Sequence, residues 1–310
     1  MLLTKLSLAL IIILSTILLL VAVKSGWAQP ASNVTLGLID LGGDEVLEKS
    51  DLAAKQHYSQ GLIDFIASNL GNGTNPNLMT ANNISAMVDL LKGKKVDLFI
   101  DSPFISALVD NKSGAIPFVG IWLEKKPGYS SLIVTKKSSP VIYHLYDFHG
   151  GKSLGFTSAE SSIGYFLPKS FLIGNGLKFS PPSSPADIIY IFTGSENETL
   201  SKILNGAIDA GVLSSTFFDS LPSSVATKLK VVGKTIEIPV GIISHRSDMS
   251  PALVDQIRKI IVNMKFDSQA PEIIKQFKTN FNFDFKPTQL IENLTGMVAK
   301  AINGTESSYS

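Results

Sequence analysis

The chain has 310 residues, 45% hydrophobic and 17% charged, with 27 basic and 26 acidic side chains and no cysteine. That apolar content excludes a disordered protein, and the missing cysteine excludes disulfide scaffolds, thiol nucleophiles, thiolate zinc sites and iron–sulfur ligation. A net charge of +1 also lacks the basic footprint of a nucleic-acid binder.

Lys5 opens an uncharged apolar run over 6–23, followed by "KSGWAQP" with small residues at Gly26 and Ala28. Residues 1–28 read as a secretory signal cleaved after Ala28, and the length of the run also admits a retained membrane anchor. Either reading places the remainder outside the cytoplasm. Losing the leader removes Lys5 and Lys24, which leaves one acidic residue in excess. Asn-x-Ser/Thr sequons from Asn33 to Asn303 permit glycosylation, or arise by chance in an Asn- and Ser-rich chain.

From Asn33, "VTLGLID" reads as a buried strand ending in the turn-former "LGGD". A helix is expected over 52–70, with Leu62, Ile63, Phe65, Ile66 and Leu70 as its apolar stripe. The segment "NGTNPN" is expected to be a loop, and Asn83 to cap a helix carrying Ile84, Met87, Val88 and Leu91 on one face. "KKVDLFIDSPF" reads as a strand running into a turn; "SSLIVTK", "KSLGFTS", "DIIYIF", "DAGVLS" and "KVVGKTIEI" read as further strands with helical patterns between several of them. Ser250 with Pro251 marks a helix start, with Leu253, Val254, Ile257, Ile260, Ile261 and Met264 facing inward. This alternation argues for α/β layers with mostly parallel sheets, and a chain of this length favours two lobes. The tail over 304–310 is expected to fray.

Enzyme signatures are missing. There is no G-x-S-x-G elbow and no H-E-x-x-H pair, and "GGKS" at 150–153 has Tyr146 where a phosphate loop needs its first glycine. His144, Asp147 and His149 are close in sequence, a metal-site pattern that reads better as polar residues of a connecting loop. No metal or organic cofactor is expected.

What the chain does carry is hydroxyl-rich segments beyond strand ends: "DSP" at 101–103, "TSAESSIGY" at 157–165 and "LSST" at 213–216. Ligands of open α/β sheets sit beyond the carboxyl ends of strands, where helix-start N–H groups and serine hydroxyls suit an oxyanion. Ser161 and Ser162 serve equally as helix caps. Pro168 must lie near the first turn of the following helix.

At these residues the chain resembles the phosphate/phosphite/phosphonate-binding substrate-binding proteins of ABC transporters, with the type 2 periplasmic-binding-protein fold. The ordered segments "LLKGKKVDLFIDSPF", "PGYSSLIVTKKSS", "GKSLGFTSAESSIGYFLPKSFL", "GAIDAGVLSSTFFD" and "IEIPVGIISHRSDMSPALVDQIRKIIVNM" carry the likeness. The family's Ser-Thr-Ser-Gly-Tyr run is represented by Ser161 and Ser162, with Ile163 in place of the third serine and Ala159 in place of a common proline. Glu196 stands where many members have histidine: beside a dianion it would repel, it could meet an amine on a zwitterion, or it sits at a solvated helix start.

The resemblance implies a two-lobed α/β protein with a hinge of two crossings, lobe 1 comprising 33–135 plus 235–303 and lobe 2 comprising 136–234. Its implied work is to capture a small anionic ligand between the lobes and deliver it to a membrane permease, without catalysis or nucleic-acid partners. Ligand-binding candidates are Asp101, Ser102, Tyr129, Thr157, Ser161, Ser162, Glu196 and Ser214. Asp101 serves equally to cap the turn that follows it, and Tyr129 to pack at the hinge. An alternative on the same fold is an extracytoplasmic sensor or adaptor, supported by the anchor-like leader; a secreted phosphate-ester hydrolase lacks a nucleophile–base pair.

Overall fold

The computed structural model describes residues 33–40, 52–71, 73–123, 130–139, 141–159, 161–179, 188–268, 272 and 281–284. The expected leader over 1–28, the "LGGD" turn, Tyr129 and the tail over 304–310 lie outside the described residues.

β1 (Asn33–Ile39) is buried at every position after Asn33, as a strand covered on both faces requires. α1 (Leu52–Leu70) lays Leu62, Ile63, Phe65 and Ile66 into the core and packs on β1. The expected "NGTNPN" loop is a correction: β2 (Asn75–Ala81) begins inside it and pairs parallel with β1. β2 is an edge strand, exposed at its first three residues, and an edge is where Pro76 can lack a ladder donor.

Asn83 caps α2 (Ile84–Lys92) by accepting from the Ala86 N–H, and Met87, Val88 and Leu91 are buried. Gly37 lets α2 approach β1; a β-carbon there would lie 2.8 Å from the Met87 sulfur. β3 (Leu98–Asp101), buried throughout, runs into α3 (Pro103–Ser113), and β4 (Ile116–Leu123) follows. Periodicity does not single out β4, because Pro117 and Gly120 interrupt its apolar run. Opposite Ile243 and Ser244 the ladder shifts register: these pair with Val119 and Pro117, which leaves Phe118 as the extra residue of β4.

The second sheet begins with β5 (Ser131–Lys136) and β6 (Ser153–Phe156). A π-turn over Ser162–Phe166 leads directly into α4 (Leu167–Gly174), with Pro168 in its first turn, where a missing N–H costs nothing. β7 (Ile189–Phe192), α5 (Glu196–Asn205), β8 (Ala210–Ser214), the short α6 (Ser215–Ser220) and α7 (Ser223–Ala226), and β9 (Leu229–Lys234) complete this part. The chain returns through β10 (Gly241–His245) to α8 (Pro251–Asn263), which the Ser250 side chain caps through the Leu253 N–H, and β11 (Phe281–Asp284). α8 buries Val254, Ile257 and Ile261, whereas Leu253, expected inward, is exposed.

The strand orders are β11-β4-β10-β3-β1-β2 and β7-β6-β8-β5-β9. Parallel pairing, expected through most of each sheet, is confined to β1 with β2 and β3 and to β6 with β7 and β8, the strands joined by crossover helices. The strands that carry the chain between sheets pair antiparallel, so both sheets are mixed. β5 bonds to β8 and β9, so residues 131–135, expected in lobe 1, belong to the second sheet. An apolar run alone does not say which sheet takes its hydrogen bonds. The two crossings between sheets, β4 to β5 and β9 to β10, are tied side by side: Ser131 N–H donates to Thr235 Oγ1 at 2.9 Å and Thr235 N–H to the Ser131 carbonyl at 3.0 Å.

Candidate functional site

On the first lobe the site is the turn from β3 into α3. Asp101 ends β3, and its Oδ1 accepts from the Ser102 N–H at 2.7 Å, the turn-capping role. Ser102 occupies the N-cap of α3 without a side-chain capping bond, which leaves its hydroxyl for another partner.

That partner comes from the second lobe. Ser161 caps the π-turn by accepting from the Gly164 N–H at 2.7 Å. Ser162, next along, reaches across the cleft: its Oγ donates to Ser102 Oγ at 2.9 Å and accepts from the Phe104 N–H at 3.3 Å. The Phe104 and Phe166 rings stack beside this clasp with centroids 5.5 Å apart and planes within 10°. Ile163, standing where the family has its third serine, is buried, and its carbonyl accepts from Ser131 Oγ at 2.7 Å.

Behind the clasp, three hydroxyl oxygens are buried with no hydrogen-bond partner among the described residues: Ser130 Oγ, Thr157 Oγ1 and Ser158 Oγ. Register places them on one rim. Gly155 pairs with Gly211 and Ser131 with Ser214, so the carboxyl end of β6 and the start of β5 flank the end of β8. The main chain of Thr157 is satisfied, its N–H by the Gly164 carbonyl and its carbonyl by the Gly194 N–H, so only its hydroxyl is left over. A buried donor without a partner costs about 1–3 kcal/mol, and a set of them on the rim where α/β ligands bind calls for a ligand rich in acceptors.

Glu196 and Ser214 are joined to each other instead. A Glu196 carboxylate oxygen accepts from the Ser214 N–H, and Ser214 Oγ caps α6 through the Phe217 N–H at 3.1 Å. Glu196 also lies in the first turn of α5, where its charge suits the helix dipole. The three-residue cluster considered as a metal site is a turn: Asp147 Oδ2 accepts from the Tyr143 and His144 N–H groups at 2.7 Å each, bonds that hold its carboxyl below the usual range.

The structure thus brings Asp101, Ser102 and Ser162 together, and sets Thr157 beside them through its bond to the π-turn. Ser130 and Ser158, not among the residues singled out from sequence, join the rim. Both stand in segments already read as strand and cleft, "PGYSSLIV" and "TSAESS", but their lack of partners is visible only in three dimensions.

A family model described as "ABC transporter, phosphonate, periplasmic substrate-binding protein" matches residues 52–289. Among solved structures, XAC2383 from Xanthomonas citri, seen bound to chloride ion and to ATP, superposes with a TM-score of 0.73 at 21% identity, covering 89% of this chain and 100% of that one. PhnD1 from Prochlorococcus marinus in complex with methylphosphonate gives 0.60 at 16% identity, covering 88% and 99%. A binding-protein component of an ABC phosphonate transporter from Pseudomonas aeruginosa gives 0.56 at 14% identity, covering 90% of each chain. At these identities the structural likeness establishes the fold.

Proposed function

This chain belongs to the phosphonate family of ABC-transporter periplasmic substrate-binding proteins, non-enzymatic proteins that capture solute outside the cytoplasm, and from that premise we propose that it closes its two lobes on a small phosphorus oxyanion (phosphate, phosphite or a phosphonate) and hands it to a membrane permease. The observation that carries the ligand class is the rim of buried, unpartnered hydroxyls at Ser130, Thr157 and Ser158. An oxyanion offers several lone pairs in a small volume, and hydroxyl donors to a charged acceptor are worth roughly 1.5–3 kcal/mol each. Closure trades the anion's hydration for these donors in a dry cleft. Ser102 and Ser162 hold the lobes together beside it.

Calorimetric titration of the leaderless protein against phosphate, phosphite, methylphosphonate, sulfate, chloride and ATP tests this. The expected result is saturable binding of at least one phosphorus oxyanion, weakened about tenfold by Thr157→Val, which keeps the shape and removes one charge-assisted donor. Binding of chloride or ATP alone, or an unaffected Thr157→Val variant, contradicts it.

A further inference from the structure

Lys169 is the one lysine or arginine that is fully buried among the described residues, at 0% exposure. It lies on α4, in the same continuous segment as the π-turn that carries Ser162. Its Nζ donates to Tyr165 Oη at 2.8 Å, and the rings of Tyr165, Tyr190 and Phe179 lie 4.9, 5.8 and 6.0 Å from it. No carboxylate pairs with it among the described residues. The titratable or charged residues on the elements packed around its helix are Tyr165 on the π-turn, Tyr190 on β7, Lys136 at the far end of β5, Lys230 and Lys234 on β9, and Lys178 beside Phe179; none is a carboxylate, and β6 contributes none.

An ammonium group with one oxygen partner and three aromatic faces is an uncompensated buried charge, and burial pulls its pKa down to about 8. The residues assembled at the other end of the same segment, Asp101, Ser102, Ser130, Thr157, Ser158 and Ser162, include no cation. Helical side chains lean toward the N-terminus, and Lys169 does so by reaching back to Tyr165, toward the cleft end of its segment. Lys169 follows Ser162 by seven positions along this segment, on the order of 10 Å of backbone.

We propose that Lys169 is the counter-charge of the bound ligand, a specificity-determining residue that acts from behind the π-turn and favours doubly over singly charged oxyanions. The proposal rests on the oxyanion reading above. One charge at about 10 Å in an effective dielectric of about 20 changes affinity at least about tenfold, more for a dianion.

Titrate methylphosphonate into the wild type and Lys169→Met from pH 6.5 to pH 10. The variant is expected to bind at least about tenfold more weakly at pH 7, and the ratio of the two affinities to fall toward one by pH 10 as the wild-type amine loses its proton. Ionisation of the ligand raises this ratio in the lower part of the range, because the dianion gains more from the ammonium, so the fall is read in the upper part, where methylphosphonate is already doubly charged. Lys169→Gln serves as the second variant should the methionine fail to fold. A ratio that stays constant with pH, or equal affinities at pH 7, overturns the proposal while leaving the oxyanion reading intact. A wild type silent toward methylphosphonate, phosphate and phosphite overturns the oxyanion reading, and the Lys169 proposal with it.

Discussion

Asp110 shows how a single buried carboxyl sets a pH dependence unconnected with the cleft. It sits on α3, accepts from Ser244 Oγ at 2.7 Å, and its other oxygen has no partner among the described residues. Burial pushes its pKa up to about 7, with the Ser244 bond opposing. The folded state therefore holds its proton between about pH 4 and about pH 7, where the unfolded chain has released it, and stability falls as pH rises through that window. The Asp110→Asn variant, which keeps an acceptor for Ser244, is expected to lose this fall and to melt higher than wild type at pH 8, by at most about 4 kcal/mol of stability. Equal melting temperatures at pH 8 contradict the assignment. Residue-level legibility was uneven for the same reason that Asp110 is informative. Asp101, Ser102 and Ser162 stood out because hydroxyls and acids beyond strand ends have a known use. Ser130, Ser158 and Lys169 did not, since a serine or lysine in a sequence reads as solvated, and only an account of partners shows which are buried without one.

At the scale of elements, the capped helices and most strands were legible, the edge strands β7 and β9 included, whereas the edge β2 and the internal β4 were not. Asn83 and Ser250 cap the helices they were expected to cap, because a cap is a local bond between a side chain and an N–H three residues on. Asn and Pro are turn residues, so the start of β2 reads as a loop; its backbone pairs on one side only, and the other side tolerates them. Assigning β5 to the second sheet likewise depends on hydrogen bonds to β8 and β9 that no local pattern announces. The elements that meet across the cleft, α3 and the π-turn, make the contact most open to test. Phe104→Leu keeps apolar volume but removes the stack on Phe166, so it should cost under about 1.5 kcal/mol in stability while loosening the clasp. Small-angle scattering of the ligand-free variant should show a larger radius of gyration than wild type. Identical scattering would mean that the ring stack does not hold the lobes.

At the scale of the molecule, two mixed sheets joined by two crossings form a cleft bridged by the Ser162–Ser102 bond, with the unpartnered hydroxyls on the rim of the second sheet. A net charge of +1, or −1 without the leader, gives the protein little long-range pull on an anion, so recognition has to come from the cleft and should depend only weakly on ionic strength. This is the physical content that the family assignment acquires in this chain: hydroxyls of Ser130, Thr157 and Ser158 in place of surface charge, with the third serine of the family's run replaced by a buried isoleucine. A crystal structure of the protein grown with methylphosphonate tests that claim most directly. The account predicts phosphonate oxygens within hydrogen-bond distance of Thr157 Oγ1 and of at least one of Ser130 and Ser158 Oγ; a phosphonate bound elsewhere, with all three hydroxyls still unpartnered, would contradict it.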